Sequence, residues 1–498
     1  HGIGLRSEFS TEYFGTKLFD IFKEVKSIYD IENRFNPGKI AVPISSYEKL
    51  SSFDKNLQGE FNRRISSKLI DVFRPVTKCN GNAKCLSLEK KEIMCPSFKF
   101  SKDKLHSPKG RANLLRFWIE NISKTITPHN WLSRIFYRRK NEKFDKAVYD
   151  SLNRCLSCGA CSTACPVRVD IPEYKSMFLN WYHRIYTRKW RDYLFAYIEP
   201  ICLMLSFFPF MANIFLRNPI SDFISRNIFK ITHMPKFKNR SRYYMLKSVG
   251  AKVMTPASLK KLNKDVLQKI VVIKSDSFNA CFDTELLRSA AMLIKECGYY
   301  PVFAPFADSG KSLHVLGFRE SFARKAKKNL DLLEAYNAIG VDLVFLDSTY
   351  GHCVKNDYTK IMPDRKIKFK MISQWLSENL RFVKTEQVNL KFKDVFLFSH
   401  CMEKGELDCQ QDWKNIFKKF GFNLQKMELG CCGMAGSFGY TKENIEASQG
   451  IYNLGWKQAL ADKSFMQVVA TGFSCRGQVQ RFSNHDVRHP INFLTTYL

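Results

Sequence analysis

The stretch Arg154–Pro172, RCLSCGACSTACPVRVDIP, places cysteines at 155, 158, 161 and 165 and follows the last of them with Pro166. Thiolates three and six residues after the first can converge on one cubane, because a tight turn at Gly159 with small neighbours lets backbone amides wrap the sulfides. Cysteines packed this closely are rarely structural, and the pattern points to iron–sulfur ligation, with a zinc knuckle as the alternative. The fourth cysteine, before proline, is the ligand that crosses to the other cluster in two-cluster proteins.

Upstream, residues 77–98 read TKCNGNAKCLSLEKKEIMCPSF, which repeats the motif as Cys79, Cys85 and Cys95-Pro96 with Asn82 in place of the middle cysteine. Under the crossing rule, Cys155, Cys158, Cys161 and Cys95 hold one [4Fe-4S] cluster, and Cys79, Cys85 and Cys165 hold a second. Three thiolates and an asparagine suit a three-iron cluster, a four-iron cluster with a labile iron, or no cluster. The other reading keeps one cluster on the contiguous four and leaves the upstream cysteines merely buried.

The chain of 498 residues is 45% hydrophobic, 14% aromatic and 25% charged, with 24 Gly and 17 Pro. This composition excludes intrinsic disorder, collagen-like repeats and a disulfide-stapled miniprotein. The formal net charge of +32 favours an acidic partner or simply aids solubility. The sixteen cysteines fall at ligand-like spacings with no export signal, which predicts a reducing, cytoplasmic compartment. The chain opens at His1 without Met, and this start is expected to be that of a fragment or a processed chain.

Beyond residue 262, apolar runs alternate with helical patterns, which predicts an α/β architecture. A strand at 270–273 leads to Cys281 and a helix over 284–297 that stops at Gly298; a strand at 395–398 leads to Cys401 and a helix over 412–420 that stops at Gly421. The first unit continues through Ser309-Gly310 to a strand at 341–346 and Cys353, the second through Cys431-Cys432-Gly433 to a strand at 465–470 and Cys475. From Cys281 to Ser309 is 28 residues and on to Cys353 is 44, while Cys401 to Cys431 is 30 and on to Cys475 is 44. The match predicts tandem copies of one βα unit.

Only the second copy retains its cysteines. Cys401, Cys431, Cys432 and Cys475 would meet at the edge of a parallel sheet, where α/β proteins place ligands. They are candidates for a metal site, a cluster, redox thiols or a vestigial packing pocket. Gln478 stands where a final cysteine would fall, and Ser309 leaves the first copy without a cofactor.

Near the start, Leu18, Phe22, Val25 and Tyr29 stripe an amphipathic helix that ends before the turn Asn36-Pro37-Gly38. The most apolar run, 201–216, is interrupted by Pro209 and Asn213 and is too short to span a bilayer. It reads as a buried helix pair or as an interfacial anchor, with Arg188, Lys189, Arg191 and Arg217 flanking it and Trp181, Trp190 and Tyr193 at headgroup level. No nucleic-acid reader stands out, so no nucleic-acid partner is expected.

Taken in order, HGIGL (1–5), FNPGKI (35–40), CPSFKF (95–100), SPKGRANLLRF (107–117), the four-cysteine motif, GCCGMAGSFGY (430–440) and GFSCRGQ (472–478) form a connected pattern. It resembles the FAD-linked D-2-hydroxyacid dehydrogenases that carry an iron–sulfur tail, of the D-lactate and D-2-hydroxyglutarate type, with the glycolate oxidase iron–sulfur subunit as a cousin. The resemblance implies that a flavin-binding portion precedes His1, that His1 is the catalytic base for the substrate hydroxyl, and that Asn36 lies near the flavin.

It further implies residues 1–42 as the last helix and turn of the FAD-linked oxidase C-terminal domain, 43–75 as linker, and 76–185 as a helical ferredoxin-like iron–sulfur domain. An apolar helical insert (186–262) follows, then a degenerate cysteine-rich α/β repeat (263–360), a linker (361–392) and a second, CCG-type repeat (393–498). Electrons from FAD would pass through the [4Fe-4S] cluster to a quinone or an electron-transfer protein, with peripheral membrane contact on the inner face. This chain alone, without the flavin-binding portion, would be inactive. The alternative is a free-standing iron–sulfur electron-transfer subunit, of the glycolate oxidase or heterodisulfide reductase kind, with no substrate site.

Overall fold

The structure, a computed structural model, describes residues 3–52, 67–73, 76, 79–89, 92–124, 131–232, 235–381, 392–404 and 409–498. It divides into one unit of residues 1–81 with 112–127 and another of residues 82–111 with 128–498.

In the first unit the helix Thr16–Tyr29 forms as its apolar spacing predicts, but it buries Phe19 and leaves Leu18, Val25 and Tyr29 exposed. The turn after it is closed by Lys39 N–H donating to the Asn36 carbonyl at 3.0 Å. Asn36 and Gly38 take left-handed φ of 50° and 71°, a backbone that asparagine and glycine accept at least cost. Ser7 Oγ, accepting from Ile40 N–H at 2.7 Å, ties this turn to the start of the chain.

The second unit is built on two parallel sheets. The first contains β1 (Lys252–Val253), β2 (Ile270–Lys274), β3 (Tyr300–Phe303), β4 (Asp342–Phe345) and β5 (Lys370–Met371), in the order β1-β3-β2-β4-β5. The second contains β6 (Asp394–Phe398), β7 (Asn423–Lys426) and β8 (Val468–Ala470), in the order β7-β6-β8. Thus β2 lies between β3 and β4 as β6 lies between β7 and β8, all strands parallel. The buried run IVVIK of β2 suits a strand covered on both faces. A shared apolar core, including Trp375 and Trp413, runs under both sheets.

The helix Thr284–Glu296 forms as expected, with Cys297 as its cap. The strand expected over 465–470 is shorter, because Phe465–Gln467 make a 3-10 turn and pairing begins at Val468. The expectation of a buried pair over 201–216 is corrected. Helices Ile198–Leu205 and Pro209–Leu216 are bent by 120°, and Met204, Phe207, Phe208, Phe210, Ile214 and Phe215 are exposed. Pro209 starts the second helix, and this short, broken geometry cannot turn both apolar faces inward. Among the described residues no single helix is long and apolar enough to cross a membrane.

Two of the basic residues expected to flank an anchor have structural partners instead. Arg191 is buried and ion-paired to Glu443 at 2.5 Å, and Arg188 donates to the carbonyls of Leu316 and Gly317. Trp181 is half-buried against Tyr137.

An acid-sensitive clamp ties the helix Ile171–Ile185 to the first sheet's helices. Glu173 binds His314 Nε2 at 2.9 Å and Arg319 Nη1 at 2.6 Å. Burial opposes its charge, but the His314 hydrogen bond and the charges of His314, Arg319 and Lys360 prevail and hold its carboxyl at about 2. Because the folded-state value lies below the ordinary one, the stability is present above about pH 4.5 and is lost as pH falls toward 2. Glu173→Gln is expected to cost about 2–3 kcal/mol at pH 7 in urea titrations and to flatten the decline in that window. An unchanged acid limb would refute the clamp.

Candidate functional site

The four-cysteine stretch folds as a tight turn followed by the helix Ala160–Ala164. Ser157 and Gly159 adopt left-handed φ of 54° and 74°, and the Ser157 N–H points at Cys155 Sγ at 3.4 Å. A Cβ on Gly159 would lie 3.5 Å from His352 Nε2, so the loop packs closely on the first repeat. Cys95, also left-handed at φ 46°, opens the helix Pro96–Ser101.

The Cys158 thiol interacts electrostatically with Cys401, Cys155 and Cys95, and Cys161 with Asp170, Cys155 and Cys158. Cys85 and Cys165 both pack against the cluster of Met94, Cys95 and Phe98. Cys95 therefore lies near Cys155 and Cys158 and is also packed by Cys85 and Cys165. Cys79 belongs to the first unit, where its carbonyl accepts from Arg116 Nη2 at 2.9 Å. The Asn82 side chain accepts from Lys84 N–H at 3.0 Å, which shapes the local turn.

The surroundings fit an anionic iron–sulfur cluster. Arg111 is buried, with Nη1 3.8 Å from Cys95 Sγ, Nη2 donating to Ser97 Oγ at 3.0 Å and Nε donating to the Ser151 carbonyl at 3.0 Å. Lys175, also buried, donates to the Cys155 carbonyl at 2.9 Å. Two buried cations beside a set of thiols make sense when the thiols are ionised by a bound group. Burial pushes the thiols of Cys95, Cys158 and Cys161 up, so without iron they stay protonated. Among the described residues no three His, Cys, Asp or Glu side chains stand ready to hold a single metal ion. All sixteen cysteines are free of disulfides.

In the second repeat, Cys401 follows β6, Cys431 and Cys432 follow β7, and Cys475 sits on the helix Phe473–Ser483 after β8. The thiols of Cys401, Cys431, Cys432 and Cys475 lie in series, each near enough to the next to shift its ionisation. Gly433 is required here: its φ is 88°, and a Cβ would lie 2.3 Å from the Ser448 carbonyl. Gln478, expected as a substitute for a cysteine ligand, serves as an anchor whose Nε2 donates to the Cys432 carbonyl at 3.0 Å and to Ser448 Oγ at 2.8 Å.

In the first repeat the equivalent sheet edge carries carboxyl groups. Glu199, on the helix Ile198–Leu205, accepts from Ser309 N–H at 2.8 Å and Ser309 Oγ at 2.9 Å. Burial raises its carboxyl to about 7. Asp276 and Asp347 follow β2 and β4, and burial pushes both up, Asp276 further through the nearness of Asp347. Burial holds the His400 imidazole at about 4, hence neutral, with Nδ1 3.2 Å from Ser348 Oγ.

These edges line one cavity of about 210 Å³, whose walls include Cys158 of the four-cysteine loop, Cys401, Cys431 and Cys432 of the second repeat, and the carboxyls of Glu199, Asp276 and Asp347. Phe195, Ile198, Phe278, Phe282, Met402 and Phe473 supply apolar wall. The carboxyl cluster escaped the sequence reading because its members are more than seventy residues apart; the one signal was Glu199 at the head of an apolar run. His1 lies outside the described residues, and Asn36 is exposed on its turn.

Residues 75–169 match a family described as a 4Fe-4S dicluster domain. The chain is 32% identical over 517 residues to a D-2-hydroxyglutarate dehydrogenase of Pantoea ananatis (strain AJ13355), covering 99% of this chain and 50% of that protein. It is 32% identical over 516 residues to the D-2-hydroxyglutarate dehydrogenase of Escherichia coli (strain K12), again covering 99% and 50%. Likeness to a subunit of the anaerobic glycerol-3-phosphate dehydrogenase of Escherichia coli (strain K12) is 26% over 197 residues, covering 38% of this chain and 49% of that one. The chain thus spans about half the length of the dehydrogenases it matches.

Proposed function

We propose that this chain is the electron-transfer portion of an FAD-linked D-2-hydroxyacid dehydrogenase, with D-2-hydroxyglutarate, named in its relatives, as substrate. The grouping of Cys95 with Cys155, Cys158 and Cys161 beside buried Arg111 carries the reading. A bound [4Fe-4S] cluster supplies one-electron redox chemistry, which divides the two-electron input of a flavin. The chain's own residues hold that group, offset its charge through Arg111 and Lys175, and exclude water by burial.

On this reading His1 takes the proton of the substrate hydroxyl as hydride leaves for FAD, and Asn36 borders the flavin. FAD is held mainly by a portion outside this chain, so the chain by itself does not oxidise substrate. Cys85 and Cys165 serve the second cluster site, and Cys401, Cys431, Cys432 and Cys475 extend the path toward a quinone or an electron-transfer protein. Likeness to a subunit of an anaerobic dehydrogenase favours, as a second reading, a relay without its own substrate site.

The test uses anaerobically reconstituted chain, alone and fused behind the half of the Pantoea ananatis relative that this chain does not cover. Dithionite should give a reduced [4Fe-4S] resonance of about one spin per chain in both, and D-2-hydroxyglutarate the same signal in the fusion alone. No cluster resonance would overturn the relay. A fusion reduced by dithionite but not by substrate would leave the second reading.

A further inference from the structure

Three consecutive helices of the second unit keep their large apolar residues outside. Met204 near the end of Ile198–Leu205 and Phe207 and Phe208 in the bend after it are exposed, as are Phe210, Ile214 and Phe215 in Pro209–Leu216. The next helix, Pro219–Asn227, buries no residue, although its Ile220, Phe223 and Ile224 fall three and four residues apart on one stripe. An amphipathic helix ordinarily turns such a stripe onto its own core, yet Ile220 is 74% exposed and Phe223 65%. A run of exposed apolar side chains of this size marks a contact surface.

The surrounding charge says what covers it. Residues 201–250 hold eight Arg and Lys against a single acid, Asp222, and Arg226 already pairs with that acid at 2.9 Å. Asn213, on the helix Pro209–Leu216, donates from Nδ2 to the Phe237 carbonyl at 2.9 Å and accepts at Oδ1 from the Phe237 N–H at 3.0 Å. This reciprocal pair holds the exposed Lys236 and Lys238 beside the exposed phenylalanines. Arg217, also exposed, follows the same helix. Apolar rings edged by cations match a surface where hydrocarbon lies next to negative charge, whereas a second copy of this face would set like charge against like. Each helix of the bent pair has eight residues, too few to span a bilayer and suited to lying in its interface.

We propose that this face docks on an anionic phospholipid bilayer, with Phe207, Phe208, Phe210 and Phe215 entering the acyl boundary and Arg217, Lys236 and Lys238 meeting the phosphates. The cations are not Arg188 and Arg191, whose partners lie within the protein; they are set in place by the hydrogen bonds of Asn213. The inference stands independently of the iron–sulfur relay.

The probe is flotation of the whole reconstituted chain with vesicles of phosphatidylcholine, either pure or containing about one-third phosphatidylglycerol. Binding to the anionic vesicles is expected, at least tenfold weaker to the pure ones, and falling as salt is added. Phe210→Asp places a charge on the apolar face while suiting the first turn of its helix, and should weaken binding at least tenfold. Lys236→Glu with Lys238→Glu should also weaken it at least tenfold, since one basic residue near an anionic surface is worth about fivefold. An unchanged urea midpoint shows that each variant folds, and if Phe210→Asp lowers it, the lysine pair decides. No binding to the anionic vesicles, equal binding to both kinds, or binding indifferent to the folded variants would overturn the proposal. A dimer in sedimentation that Phe210→Asp dissolves, without vesicle binding, would overturn it in favour of a second copy.

Discussion

In anaerobically reconstituted protein, Cys95→Ser is expected to erase the dithionite-reduced [4Fe-4S] resonance of the first cluster, while Cys165→Ser leaves it near one spin per chain. The sequence alone offers either cysteine as the fourth ligand, Cys95 under the crossing rule and Cys165 if one cluster sits on the contiguous four. In the structure Cys95 interacts with both Cys155 and Cys158, while for Cys165, after the helix Ala160–Ala164, the contact shown is with the cluster of Met94, Cys95 and Phe98. Arg111 at Cys95 Sγ adds the positive charge that an anionic cluster attracts. Serine is nearly isosteric with cysteine, so the comparison reads ligation and not packing. Spin quantification separates the outcomes, and loss with Cys165→Ser but not Cys95→Ser would return the cluster to the contiguous four.

The features legible in the sequence are those fixed by short-range chemistry. The turn at Gly159, the helix Thr284–Glu296 and the alternation of β2 and β6 with helices follow from positive φ, amphipathic spacing and β-branched runs. The thiol set of the second repeat was legible because each cysteine follows a strand of a parallel sheet. What escaped depends on partners distant in sequence. Arg188 and Arg191 read as basic flanks of an anchor, yet one caps carbonyls 128 and 129 residues away and the other pairs with a glutamate 252 residues away. The apolar run over 201–216 read as core before surface, because composition alone does not show the 120° bend between its helices or the exposure of Phe207, Phe208, Phe210 and Phe215. Gln478 read as a lost ligand, whereas its buried amide supports the very loop that carries Cys432.

Replacing Arg476 with methionine should cost about 3–5 kcal/mol of stability, more than the loss expected of Glu173→Gln. Its guanidinium, buried after β8, donates from Nη1 to the carbonyls of Ala470 at 3.2 Å and Thr471 at 2.8 Å. Nη2 donates to Asn279 Oδ1 and Asp283 Oδ2, each at 2.9 Å, in the segment that follows β2. One side chain thus links the ends of the two sheets one residue from Cys475. Methionine keeps the volume but strands the Asp283 carboxylate and two carbonyls in a buried setting, where unpaired polar groups cost most. Urea titration should show a lower midpoint with an unchanged slope, since the same surface is exposed on unfolding. Adding Asp283→Leu should recover part of the loss, because an ion pair removed whole leaves no orphaned charge. If Arg476→Met costs under about 1 kcal/mol, water reaches these groups and the link between the sheets is not held by this residue. If the cost is large and the second substitution recovers none of it, the carbonyl contacts alone carry the energy, and the guanidinium acts as a clamp on the end of β8.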